Sequence, residues 1–208
     1  MRFTSILVFV ACFASSVQAE DSPVSNTWLD TFIRSFSAAP EPWGTVQQVF
    51  GINIGGHDFI FEAVQLEEIA ELLNTEAHYW EAPEGGAIEW SCLSRGSQTL
   101  WIYADTAMGA GTVSGIGIDM RDPAPPSAGC GVWPTDLTVD IGVMGVGMPA
   151  DVIAANYLTG QPDEYGIFGA INQIEHPGEP AFTTMEELTF RANEEGFIDA
   201  VAVMQMTD

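Results

Sequence analysis

The chain contains no lysine. All five of its basic residues are arginines (Arg2, Arg34, Arg95, Arg121 and Arg191), set against 29 acidic ones among 208 residues. A surface so poor in positive charge repels nucleic acid and anionic membranes. It also rules out a phosphate-cradling loop, which needs a lysine after a glycine run. Histidine and cysteine are scarce, three of each. His57, His78 and His176 show no HExxH or related ligand spacing, and Glu175-His176-Pro177-Gly178-Glu179 falls short of a ligand set. Calcium suits so acidic a chain, but it has no EF-hand loop or aspartate-rich repeat. Neither a metal nor a cofactor is therefore expected. Gly-x-Ser-x-Gly is absent, and the stretch Gly111 to Gly115 has the wrong spacing for a serine hydrolase. A carboxylate-based hydrolase needs two acids at a defined separation. With 29 acids, a pair by itself singles out nothing; Glu67, Glu68 and Glu71 read as the wet side of a helix.

What is present begins at the N-terminus. Arg2, the apolar run Ile6 to Ala14 and the small-residue site Val17-Gln18-Ala19 have the layout of a secretory signal peptide over residues 1–19. The run is too short for a permanent span, so no integral membrane segment is expected beyond it. Cleavage near Ala19 places the protein in a periplasm or outside the cell. Lipidation at Cys12 is the alternative, leaving the chain anchored. Beyond residue 19, four arginines face 29 acids, a formal charge of −25 (4 − 29). Such a field draws in a basic partner, and the same surface suits a saline habitat. Cys92 and Cys130 form an even pair in an oxidising compartment, which favours a disulfide over a reactive thiol pair.

Periodicity predicts an α+β chain. A helix over 25–36 gathers Trp28, Leu29, Phe32, Ile33 and Phe36 on one side, and Ala39-Pro40-Glu41-Pro42 stops it. Residues 20–49 form this helix and a linker. The first half, 50–122, runs from a helix near 62–73 into strands at 77–82, 87–93, 98–104 and 112–120. A Pro-rich connector follows over 123–136. In the second half, 137–208, a helix over 150–158 leads to a Gly/Pro-rich stretch and strands at 185–192 and 197–206. Leu100 and Ile102 match Leu188 and Phe190, and Ile116 and Ile118 match Val201 and Val203. The halves thus read as two tandem helix-plus-antiparallel β-meander repeats.

Gly145-Val146-Gly147-Met148-Pro149, opening a helix ahead of a meander, resembles the β-lactamase inhibitory protein-like fold and the related outer-membrane assembly lipoproteins. The resemblance spans most of residues 50–206. It implies a noncatalytic binding protein that uses the open face of its sheet, and it transfers no inhibitory residues.

Along 98–104, Leu100, Ile102 and Ala104 alternate with Trp101 and Tyr103. If helices cover the aliphatic side, Trp101 and Tyr103 emerge on the other. Tyr79, Trp80 and Trp90 lie on neighbouring strands, giving five candidate anchors for a binding face. The competing arrangement is a second core layer covered by the N-terminal helix through Trp28 and Phe32. The expected function is noncatalytic recognition of a protein with a basic surface, in the manner of an inhibitor of a secreted or envelope enzyme. A carbohydrate-binding or structural envelope protein is the first alternative, and an exported carboxylate hydrolase the second.

Overall fold

The computed structural model describes residues 22–37, 51–81, 87–105, 111–157, 159–178 and 180–207. The expected leader, Cys12, the Ala39–Pro42 stop and Glu179 lie outside the described residues. The elements in chain order are α1 (Trp28–Ser37), β1 (Gly51–Ile54), β2 (His57–Ile60), α2 (Leu66–Leu72), β3 (His78–Glu81), β4 (Ala87–Arg95), β5 (Gln98–Asp105) and β6 (Val113–Asp119). After these come β7 (Gly131–Val132), β8 (Val139–Asp140), α3 (Ala150–Tyr157), β9 (Ile167–His176), β10 (Phe182–Ala192) and β11 (Ile198–Thr207). The chain is α+β, and its two sheets are mostly antiparallel. Among the described residues, no helix is long and apolar enough to cross a membrane.

Strand order in the large sheet is β3-β4-β5-β6-β11-β10-β9, with the short β7 parallel to β4. Each half of the chain contributes consecutive antiparallel strands, and the two sets meet where β6 pairs with β11. A small sheet, β2-β1-β8, stands apart from it. Several elements depart from the sequence expectation: α2 starts at Leu66 rather than near 62, the short β7 and β8 fall where no strand was expected, and two departures are larger. Residues 51–60, for which the sequence predicts neither helix nor strand, form a hairpin whose turn falls at Gly55 and Gly56, both with positive φ. Residues 167–176, read as part of a Gly/Pro-rich irregular stretch, form a ten-residue strand in register with β10 from Ile167 to His176.

Both faces of the large sheet are buried in its middle, by different means. One face carries Leu100, Ile102, Ile116, Leu188, Phe190, Val201 and Val203, covered by α2, α3 and the small sheet. Tyr157 and Phe168 each sit 5.5 Å from the Phe190 ring, fastening α3 to β9 and β10. The opposite face carries Trp90, Trp101, Tyr103, Ala200, Ala202 and Met204, and α1 lies on it through Trp28, Leu29 and Phe32. β6 permits that approach. A Cβ on Gly117 would come within 2.7 Å of Phe32 Cε1 and 3.1 Å of Trp28 Cδ1, so only a strand without side chains there lets α1 settle. The Trp28 indole donates to the Val201 carbonyl at 3.1 Å, satisfying its buried N–H.

Candidate functional site

Of the two arrangements expected for the aromatic face, the structure shows the core layer covered by α1 and not the open binding face. Trp101 and Trp90 are 1–2% exposed and Tyr103 4%, so none of the three offers a ring to a partner. Two covers close over them. α1 supplies Phe32, edge-on to Tyr103 at 6.4 Å. The Pro-rich connector supplies the rest: a 3-10 turn over Pro126–Ala128 accepts the Trp90 indole N–H on the Ala128 carbonyl at 2.9 Å. The Cys92–Cys130 disulfide, with Cα atoms 4.7 Å apart, ties that connector to β4. Strand alternation separated the two faces correctly. Which face stayed open depended on a segment far away in sequence. Trp80, on the edge strand β3, is half-buried against the same layer, whereas Tyr79 points to the opposite side and is 58% exposed. The five expected anchors therefore form no common surface.

Two of the three histidines are engaged, and His57 lies exposed on β2. His78 stacks on Trp90 at 5.4 Å with Nε2 3.1 Å from the Gly129 carbonyl oxygen. His176 stacks on Phe182 at 4.3 Å, its Nε2 3.2 Å from Thr184 Oγ1. Among the described residues, no group of three or more His, Cys, Asp or Glu side chains could hold a metal ion.

The α1-bearing face is filled unevenly, and that asymmetry creates a groove. Over β4 and β5 the space holds indoles, Tyr103 and the disulfide. Over β9 and β10 the same face carries Ile167, Gly169, Ile171, Glu187 and Thr189, smaller or polar residues that leave a groove of about 610 Å³. One side of α1 makes its wall through Asp30, Thr31 and Arg34, spaced so that they share a helix face. The 160–163 segment closes the far side with Gln161 and Asp163. The floor is mainly apolar, and three acidic side chains, Asp30, Asp163 and Glu187, face one arginine. That arginine is already engaged, with Arg34 Nε 2.7 Å from Asp30. Glu187 is 5% exposed and accepts the Thr189 hydroxyl at 2.7 Å. Asp163 folds the groove's mouth: its carboxylate accepts the N–H groups of Tyr165 and Ile167, each at 2.8 Å.

Behind the groove, Arg191 anchors a buried charge cluster. Its guanidinium donates to Asp199 at 2.7 Å and Asp119 at 2.8 Å, with Asp122 at 3.3 Å, and lies 5.4 Å from the Trp28 ring. Burial pushes the Asp119 carboxyl pKa up, and the Arg121 and Asp122 N–H groups and the Arg191 charge pull only part of it back. Burial opposes the Arg191 charge too, but its bonds to Asp199 and Asp119 outweigh that and raise its pKa. Both arginines at the cluster, Arg191 and Arg121, are paired with its acids, and the bonds of Arg191 lock β6, β10 and β11 beneath α1.

Sequence reasoning missed the groove because its edge strand was not recognised. A signal existed: Ile167 to Ile171 is an unbroken nonpolar run of strand length. Compared with known proteins, the chain matches no family model, no curated protein and no solved structure.

Proposed function

We propose that this is an exported, noncatalytic binding protein that recognises a protein with a basic surface through the groove between α1 and the β9–β10 edge. The observation that carries the reading is the groove's make-up: an apolar floor, three acidic side chains and a single, already paired arginine, within a chain of formal charge −24. An apolar floor supplies affinity, and the acidic rim supplies steering and selection of a cationic partner. Inhibition of a secreted or envelope enzyme is one form such recognition takes. The signal-peptide layout and a disulfide-bonded pair support export.

The tandem-repeat reading belongs to the same proposal, and the strand register supports it. The sequence matches pair Leu100 with Leu188, Ile102 with Phe190, Ile116 with Val201 and Ile118 with Val203. Across the sheet, Ile116 faces Val203 and Ile118 faces Val201, the reciprocal arrangement that a local two-fold axis between β6 and β11 requires. The outer pairs agree: Leu100 faces Ile118 as Leu188 faces Val203, and Ile102 faces Ile116 as Phe190 faces Val201. In this frame Thr189 occupies the place of Trp101. The groove is then the second repeat's counterpart of the aromatic layer, left unfilled.

Affinity capture from envelope and secreted fractions, at low and high salt, tests the reading. A dominant basic protein, released by salt and held less well by Gln161→Arg at the exposed rim, is the expected result. Capture of no specific protein in either condition sinks it.

A further inference from the structure

We infer that the outer edge of β9 accepts an extended segment of the basic partner as an added antiparallel strand, with that segment's basic side chains lying in the groove. This rests on the groove reading above and specifies how the groove is occupied. The backbone carries the argument. In an antiparallel ladder, successive residues turn both their N–H and C=O alternately to one neighbour and then the other. The β9–β10 register runs from Ile167 to His176 without a shift, so the alternation holds along the whole strand. Ile167 fixes its phase. Its N–H goes to the Asp163 carboxylate and its carbonyl accepts the Asp163 N–H at 2.9 Å, so both groups point away from β10. Gly169, Ile171 and Gln173 therefore also point outward. Among the described residues, no strand pairs with this edge. Asp163 caps the first of the outward positions, and among the described residues no backbone group pairs with the next three, so that Gly160 and Gln161 at the groove's far wall are what an added strand displaces.

The same alternation couples the edge to the groove. Outward-pointing residues of β9 share one face, the face on which Ile167, Gly169 and Ile171 line the groove. Directly opposed residues on paired strands share a face as well. An added antiparallel strand thus places over the groove the side chains of those residues whose N–H and C=O reach β9. Opposite Gly169 such a side chain meets no neighbour on β9 and passes over it towards Thr189 and Glu187. A long arginine fits, its aliphatic stem on the apolar floor and its guanidinium among Glu187, Asp30 and Asp163. Natural sheets protect long edges with lysine, proline or bulges. Over Gly169 to Gln173, β9 has none of these.

The test uses the oxidised protein and an eight-residue peptide of alternating arginine and threonine, acetylated and amidated, in three forms: unmodified, N-methylated at the arginine amides, and N-methylated at the threonine amides. Calorimetry at low salt is expected to show binding of the unmodified peptide. Methylation at arginine blocks the three bonds to Gly169, Ile171 and Gln173 and weakens binding by roughly thirtyfold or more. Methylation at threonine leaves it within about threefold, on the same hydrogen-bond scale. Gln173→Pro removes an outward N–H from an exposed residue that does not line the groove, and weakens binding where Gln173→Ala does not. Equal binding of all three peptides, or greater sensitivity to the threonine set, overturns strand addition. If those peptides still lose affinity on Glu187→Gln, the groove reading stands without it. No binding of the unmodified peptide at low salt removes both.

Discussion

Arg191 is the residue on which the α1-bearing face depends most. It donates to Asp119 and Asp199, both nearly buried, while Asp122 is half-exposed and adds little. Arg191→Met leaves two buried acids without their cation, and unfolding in urea is expected to show a loss of about 3–5 kcal/mol. A loss below about 1 kcal/mol would mean the acids relax into solvent. Asp119 gives a pH signature with a definite sign. Its pKa is raised in the folded protein, chiefly by burial, so the folded state takes up the proton before the unfolded chain does. Stability from this group therefore rises as pH falls through the folded-state value, and levels off below the unfolded value of about 3.9. The gap between wild type and Asp119→Asn, followed from neutral pH downward, should move in favour of wild type as acid is added. A gap that does not move would show that Asp119 titrates as it does in the unfolded chain.

At the scale of elements, α1 and β9 make the site, and they were unequally legible. α1 announced itself through Trp28, Leu29, Phe32 and Ile33, because a 3.6-residue period is a local property of the sequence. Its seat was not legible, since that depends on Gly117, 85 residues beyond Phe32 in the chain, having no side chain. Gly117→Val should displace α1, costing about 1–3 kcal/mol and exposing Trp28 to a fluorescence quencher; unchanged quenching would mean the helix is held elsewhere. β9 carried a short nonpolar run, Ile167 to Ile171, but Gly160, Pro162, Pro177 and Pro180 around it read as loop. Its pairing with β10 over ten positions overrides those flanks. The β1–β2 hairpin was hidden for a related reason, its Ile52 and Ile54 giving too short an alternation to stand out. Strands at 87–95, 98–105, 113–119 and 198–207 lie within two residues of their predicted bounds, since each has a long apolar alternation of its own.

For the molecule as a whole, charge and the disulfide govern behaviour. The −24 formal charge is self-repelling, so screening should raise stability in salt while it weakens any association with a basic peptide. Opposite trends in melting temperature and affinity along one salt series are the expected outcome; parallel trends would dissociate the acidity from recognition. Cys92–Cys130 closes a 38-residue separation and holds the connector over the indoles. Replacing both cysteines by alanine is expected to cost about 3–4 kcal/mol on the chain-entropy model. It should also increase the exposure of Trp90 first among the tryptophans, because the Ala128 carbonyl that accepts its indole N–H sits in the tethered turn.

The sequence alone determined the acidic character, the cysteine pairing, the helical stripes and the division of each strand into two faces. Composition and short-range periodicity are sufficient for these. Tertiary structure decided which face was open. Trp90, Trp101 and Tyr103 are as fit for a partner as for a core, and α1 and the connector made them core. The groove arose where the same face, over β9 and β10, carries Gly169, Glu187 and Thr189 instead of large rings. A site defined by what neighbouring strands leave unfilled exists only once those strands are side by side.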